Sequence, residues 1–313
     1  MKRPDPLLSI LIVSWNTRES LANCLRHLPE SADSLPFQTI VVDNDSADGS
    51  LEMLREEFPW ALCIPVGHNL GYGAGMNLAI RRVKSPYVLL LNPDVVPQKC
   101  AIKTLVEYLR DHGSIAVAGG SLFGKCGRSQ MEDYYIPFPT LLSAILHYTR
   151  WSAILGALHI TPDRFTDRSV RQVPGACFLT RRAVLEAVGP FDEEFFVWFE
   201  DVDWCYRAHR NHFGLGFCED AVFFHEGGKS FEAVSKETRK KWFYRSMLRF
   251  FRKHRGPSSW VALAGFILIE EALVMTIAGA VGLVWGPSRE TMLCRSRRAA
   301  DFLCFLGRKR QSL

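Results

Sequence analysis

Val88-Leu89-Leu90-Leu91-Asn92-Pro93-Asp94 decides how this chain is read. A short run of Leu and β-branched residues closed by turn formers reads as a buried strand, and this one stops abruptly in acid. Val41-Val42-Asp43-Asn44-Asp45 does the same, and Phe199-Glu200-Asp201-Val202-Asp203 packs three carboxylates into four positions. In open α/β sheets, ligands bind just beyond the carboxyl ends of the strands. Acid in that place is poorly suited to packing and well suited to holding a cation or taking a proton. The pattern points to an enzyme.

Outward from these stretches, residues 1–120 alternate strand and helix. Strands are expected at Leu8–Val13, Thr39–Val42, Leu62–Val66 and Tyr87–Leu91. Helices are expected at Arg18–Leu28, from Asp48 as N-cap through Leu51, Leu54 and Phe58, at Gly75–Val83, and from about Gln98 to Arg110 behind Pro97. Such alternation gives a mostly parallel sheet covered by helices on both faces. From about 121 to 172 the pattern fails. The apolar stretch from Phe138 to Leu158 reads either as a peripheral helix pair or as an acceptor- or lipid-facing insertion. Order returns with a strand at Gly175–Leu179, a short helix through Val184, Leu185 and Val188, and a helix beginning near Glu200.

The chain has 313 residues, 48% hydrophobic and 23% charged, enough for one large or two modest domains and too apolar for a disordered protein. Nine scattered cysteines with no CxxC pair argue against a disulfide framework or a structural zinc site, and the N-terminus lacks the marks of a signal peptide. A cytoplasmic setting is therefore expected. The net charge of +5 is mild but uneven: basic residues crowd Lys236–Arg255 and Arg295–Arg310. Between them, Trp260–Trp285 is almost wholly apolar, about long enough to cross a bilayer, but Glu270 and Glu271 in its middle are costly in hydrocarbon. A helix or helical hairpin lying in the membrane interface on anionic lipid fits best. The basic patches carry no interleaved aromatic platform, so nucleic acid is not expected.

Each chemical candidate has a bland alternative. Asp43 is placed either to accept a hydrogen bond from a pyrimidine N3–H or to hold its own turn. The glycine-rich Asn69–Asn77 loop suits the approach of a diphosphate to a helix N-terminus, but matches neither a P-loop nor a dinucleotide fingerprint. Asp94 offers hard oxygen to Mg²⁺ or Mn²⁺, with His225 as a second ligand or a structural histidine. Glu200, Asp201 and Asp203 open a helix, where acids are ordinarily caps. Their crowding leaves at least one for proton transfer.

Taken in order, these pieces resemble family 2 glycosyltransferases of the GT-A fold, rhamnosyltransferase-like members in particular. The resembling elements are Ser9–Asn16, Val42–Ser50, Asn69–Asn77, Leu91–Asp94, Pro174–Cys177, Val188–Phe196, Glu200–Asp203 and His225–Ser230. The resemblance implies a GT-A domain over residues 1–255, nucleotide-binding in 1–120 and acceptor-binding in 121–255, with a membrane-associating helical tail at 256–313. It implies inverting transfer from a dTDP- or UDP-sugar, with rhamnose a candidate, to a lipid-linked or cell-envelope glycan at the inner face of the cell membrane. Ser14, Asn16, Asp43, Asp45, Asn69, Gly71, Asn77, Asn92 and Asp94 would surround the donor. Asp94 and His225 would hold the divalent metal. Asp201 would be the general base, with Glu200 beside it, and its helix-start position implies a low pKa. A sugar-nucleotide pyrophosphorylase shares the architecture but wants a basic glycine-rich loop where Ser14-Trp15-Asn16-Thr17 stands. An inactive sugar-nucleotide binder would not need Asp94, Asp201 and His225 together.

Overall fold

The computed structural model describes residues 5–124, 127–149, 169–232 and 234–285. They fall into two compact units, 5–138 with 169–236 and 139–149 with 237–285.

The first unit is built on an eight-stranded sheet of order β3-β2-β1-β4-β7-β6-β8-β5. The strands are β1 (Leu8–Ser14), β2 (Phe37–Asp43), β3 (Leu62–Pro65), β4 (Tyr87–Leu91), β5 (Val95–Pro97), β6 (Ile115–Phe123), β7 (Cys177–Arg181) and β8 (Gly214–His225). β1 to β4 are parallel, β7 runs against both its neighbours, β6 and β8 run parallel, and β5 is antiparallel to β8. β1 is buried from end to end because helices cover both sheet faces, which is why it reads as a continuous apolar run. Leu8, Ile10 and Ile12 pack on one face with Leu21, Leu25 and Leu28 of α1 (Arg18–Ala32) and with α2 (Ser50–Glu57) and α4 (Ala101–Asp111). Leu11 and Val13 pack on the other face with α3 (Tyr72–Ile80), α6 (Arg182–Val188) and α7 (Glu200–Arg210).

Several expectations shift. Asp48 is not the N-cap of α2, whose cap is Gly49 at φ 83°. Its carboxylate instead accepts from the Arg18 backbone N–H at the start of α1 (2.8 Å) and from Ser50 (3.1 Å). β6 is a strand where no regular element was expected. Gly119 and Gly120 weaken its apolar signature, yet Gly119 lets the Tyr134 ring lie across the backbone and Gly120 admits the Phe223 ring and the Ala221 carbonyl, while the Tyr134 hydroxyl donates to the Gly120 carbonyl at 2.7 Å. Asp203 is structural: fully buried, it accepts from Arg207 at 2.9 Å, and Arg207 also caps the end of α6 by donating to the Val188 and Pro190 carbonyls.

The second unit contains α5 (Leu141–Tyr148), α8 (Lys236–His254) and α9 (Gly256–Trp285). α5 starts in a capping box between Thr140 and Ser143 and packs on α9. The two acids of α9 are satisfied within the protein: Lys240 of α8 pairs with Glu271, and the Tyr244 hydroxyl donates to Glu270 at 3.4 Å. Leu263 and Ile267 are buried on that side, while Val261, Ile269 and Leu273 are exposed. Among the described residues, no helix is long and apolar enough to cross a membrane. Residues 150–168, including much of the apolar stretch to Leu158, and the basic Arg295–Arg310 cluster lie outside the described residues.

Candidate active site

Strand polarity gathers the acids at one rim. Ser14 pairs with Asp43 and Asp43 with Pro65, so β1, β2 and β3 end level. β7 begins where β4 ends, Leu91 opposite Cys177, and this brings Gly175 to the same rim. β8 runs parallel to β6, and its last residue, His225, sits opposite Val95 of β5. The Asn92-Pro93-Asp94 turn, closed by the Val95 N–H on the Asn92 carbonyl at 3.2 Å, therefore delivers Asp94 to His225.

On the β2 side, Asp43 holds its own turn and keeps one oxygen unused. One oxygen accepts from the Ser46 N–H at 2.9 Å, an Asx turn. The other, Oδ2, is buried and meets no donor among the described residues. A buried carboxylate oxygen without a partner is costly, and a planar N–H donor from a base would satisfy it. Asp45 is exposed at the tip of this turn at φ 69°. Asn16, also at positive φ, joins β1 to the turn by accepting from Ala47 (2.8 Å) and donating its N–H to Ser46 (2.9 Å). Ser14 is buried against Thr17 at 2.9 Å.

The glycine-rich loop needs correction. Gly71 lies at φ 83°, and a Cβ there would collide with the Phe196 carbonyl, to which the Tyr72 N–H also donates at 2.8 Å. A Cβ on Gly75 would press on Val13, and one on Gly73 would meet Phe191 and Glu200. Gly71 and Gly75 thus admit the protein's own backbone and side chains, a sufficient reason for those two without a diphosphate, whereas the contacts at Gly73 are ordinary ones. Asn77 is likewise not free to bind a donor. Its amide, 3% exposed, donates to the Phe191 carbonyl (2.8 Å) and accepts the Phe191 N–H (3.0 Å). Asn69 serves the loop too, accepting from Asn44 and from the Gly71 N–H, both at 2.9 Å. Replacing Gly71 with Ala should lower stability by about 3 kcal/mol or more, since it forces a glycine-only conformation into a collision. Urea unfolding would show it, and an unperturbed midpoint would contradict this packing account.

Asp94 is 5% exposed, and its Oδ1 lies 3.5 Å from Nε2 of His225. Gln130, which the sequence did not single out, orients this histidine. Its Nε2 donates to the His225 carbonyl at 3.3 Å, which leaves its Oε1 facing His225 Nδ1 at 2.8 Å. An amide oxygen only accepts, so Nδ1 donates, and in the neutral tautomer with its proton on Nδ1 the Nε2 lone pair faces Asp94. In that tautomer the pair is a nitrogen–oxygen donor set for a cation. One carboxylate oxygen and one imidazole nitrogen suit Mn²⁺ or Mg²⁺. Among the described residues no group of three His, Cys, Asp or Glu could hold a metal, so donor oxygens would have to complete the shell. Such outer partners orient a ligand and set its tautomer. Gln130→Leu should weaken Mn²⁺ binding roughly 10- to 100-fold, read by electron paramagnetic resonance with dTDP present. Equal affinity would leave Gln130 no part in the site.

Asp201, in the first turn of α7, is held by two backbone amides, Gly175 on Oδ2 and Val202 on Oδ1, both at 2.8 Å. The expected low pKa is overturned. Burial outweighs these hydrogen bonds and pushes the carboxyl above its ordinary value, making it a stronger base when ionised. Glu200, 5% exposed with its Oε2 unpartnered among the described residues, is raised much further by burial and then by the charge of Asp201. The folded state thus holds a proton that the unfolded chain has lost. Glu200's favourable share of stability is complete below the ordinary carboxylate range and disappears as pH rises through the raised value. Glu200→Gln, neutral at every pH, should therefore melt above wild type at neutral pH, with the gap closing in acid. Thermal melts across pH test this, and a gap constant with pH would refute it.

Tyr72 senses the charges of Glu200, Asp201 and Asp94 together, so these three acids share one neighbourhood. Residues 4–244 match the family profile described as glycosyltransferase like family 2. The low-salt glycan biosynthesis hexosyltransferase Agl10 of Haloferax volcanii is 26% identical over 222 residues, 69% of this chain and 66% of that protein. An N-acetylglucosaminyl-diphospho-decaprenol L-rhamnosyltransferase of Mycobacterium tuberculosis is 26% identical over 219 residues, 63% of this chain and 68% of that protein. The chain spans about two thirds of the length of these relatives. Among solved structures, the mannosyltransferase PcManGT of Pyrobaculum calidifontis, in complex with GDP-Man and Mn²⁺, matches with TM-score 0.55 at 14% identity, over 97% of this chain and 84% of that one. That likeness bears on the fold, which is GT-A.

Proposed function

The chain belongs to glycosyltransferase like family 2, and on that premise we propose that it moves a sugar from a nucleotide diphosphate to a hydroxyl of a lipid-linked glycan, with inversion. The observation that carries this reading is the meeting of Asp94 with His225 at the rim where Asp201 stands. Asp43 accepts the base N3–H on its unpartnered oxygen, which favours thymine or uracil. Asp94 and His225 would hold a divalent metal, which when bound would neutralise charge on the donor diphosphate. Asp201 takes the acceptor's proton while that oxygen bonds to the anomeric carbon. The bond from that carbon to the diphosphate breaks, and the diphosphate leaves with the electron pair. Glu200, neutral beside it, leaves Asp201 as the ionised member of the pair.

Rhamnose as the sugar and a polyprenyl-diphosphate acceptor are supported by the likeness to the mycobacterial N-acetylglucosaminyl-diphospho-decaprenol L-rhamnosyltransferase. Placement at the cytoplasmic face of the membrane is supported by the exposed Val261, Ile269 and Leu273 of α9 and the basic run of α8. The decisive experiment is thermal stabilisation by a panel of nucleotide sugars with and without Mn²⁺. dTDP-rhamnose with Mn²⁺ should raise the melting temperature most. No response to any thymidine or uridine diphosphate sugar would end the proposal. Flotation with anionic vesicles but not neutral ones is the matching result for the membrane surface, and its failure would remove that part alone.

A further inference from the structure

The peptide joining Gly71 to Tyr72 is pinned on both sides. Its carbonyl accepts from the Asn44 side chain at 3.2 Å, and its N–H donates to the Phe196 carbonyl at 2.8 Å. Asn44, next to Asp43, also donates to Asn69 at 2.9 Å and accepts from the Leu70 N–H at 3.0 Å. The backbone of Tyr72 is thereby referenced to the turn that holds the Asp43 carboxylate. Its side chain reaches the other half of the site: the phenol donates to the Gly175 carbonyl at 2.7 Å, and the N–H of that same glycine donates to Asp201 at 2.8 Å. A side chain at residue 175 would fit only tightly between them. A Cβ there would stand 3.3 Å from the Tyr72 hydroxyl and 3.5 Å from Asp201 Oδ2.

We propose that Tyr72 is a positioning residue for Asp201, acting through Gly175, and that it links the nucleotide-binding turn to the carboxylate that takes the acceptor's proton. Its catalytic meaning rests on the reading of Asp201 as the base; the hydrogen-bond relay itself does not. Asp201 is faced by Glu200 and Cys205 of its own helix and by Tyr72 of α3. None of these is a cation, so the two backbone amides are what favour its ionised form. Tyr72 secures one of the two. Without its hydroxyl, Gly175 is free to turn, the amide is lost from Oδ2, and Asp201 ionises less readily. The phenol stays neutral in this role, because burial and the neighbouring carboxylates hold its own pKa well above the usual value.

The test needs no substrate. Side-chain carboxyl carbons of the full chain are followed by NMR through a pH titration in wild type, Tyr72→Phe and Gly175→Ala, with Asp201→Asn assigning the Asp201 signal. Both test variants should titrate Asp201 higher than wild type by on the order of one unit. Thermal melts of each variant report whether the fold is kept. With dTDP-rhamnose and a polyprenyl-diphosphate-linked acceptor, Tyr72→Phe should lower kcat about tenfold at unchanged donor KM, and move the acid limb of the rate profile upward. An Asp201 titration identical to wild type in a folded Tyr72→Phe variant overturns the proposal. Sugar transfer persisting in Asp201→Asn would instead overturn the reading of Asp201 as base and leave the titration result standing.

Discussion

Asp201→Asn is expected to cut kcat by roughly 10²- to 10⁴-fold, the range that a positioned general base contributes, while nucleotide-sugar binding stays close to wild type. The carboxylate is held by amides on both oxygens and lies beside Tyr72 and Glu200. Its hydrogen bonds among the described residues go to Gly175 and Val202, so its loss should leave donor and metal binding intact. Raised by burial, Asp201 is proton-free only above a pH higher than an ordinary carboxylate requires. Wild-type activity should accordingly decline on the acid side through that raised value, and the residual rate of the variant should lack this limb. Stopped assays for transfer, paired with calorimetric donor titration, separate the outcomes. Transfer at the wild-type rate would exclude Asp201 from the chemistry, and loss of donor affinity would make it a binding residue.

Asp94→Ala has the second large effect, a fall in turnover of at least about 100-fold, this time with donor binding lost alongside. Removing the carboxylate leaves His225 Nε2 with nothing opposite it, and one imidazole is a thin site for Mn²⁺. The electron paramagnetic resonance signal of bound Mn²⁺ in the presence of dTDP should vanish, whereas Asp201→Asn should retain it. Mn²⁺ held equally by Asp94→Ala would place the metal elsewhere. The contrast between the two variants separates the half of the site that grips the donor from the half that activates the acceptor.

How much of this was readable beforehand varies element by element. β1, β2 and β4 are buried through most of their length, so Leu, Ile and Val dominate them, and the acids that follow β2 and β4 mark the rim. β5 has three residues, too few for any period to register. β6 hides behind Gly119 and Gly120, whose reasons are the ring of Tyr134 for the first and the Phe223 ring with the Ala221 carbonyl for the second. The glycine-rich loop resembled a phosphate cradle because the same small residues serve any close approach, and here Phe196 and Val13 approach. Gln130 bore no local signal at all. Its meaning comes from the hairpin that sets it against the end of β8, where Phe123 pairs with Ser129.

The order of the motifs sufficed to establish the family, the alternating architecture and the identity of the acids, because strand burial and turn chemistry are written in neighbouring residues. Only folding decided which of those acids are available and how strongly each holds a proton. Asp203 is consumed by Arg207, Asn77 by Phe191, and Glu270 and Glu271 by α8. Asp201, at a helix start that favours negative charge, is nevertheless pushed the other way by burial. The physical reason is range: propensity and dipole act within a turn, whereas desolvation and hydrogen-bond partners come from segments far away in the chain.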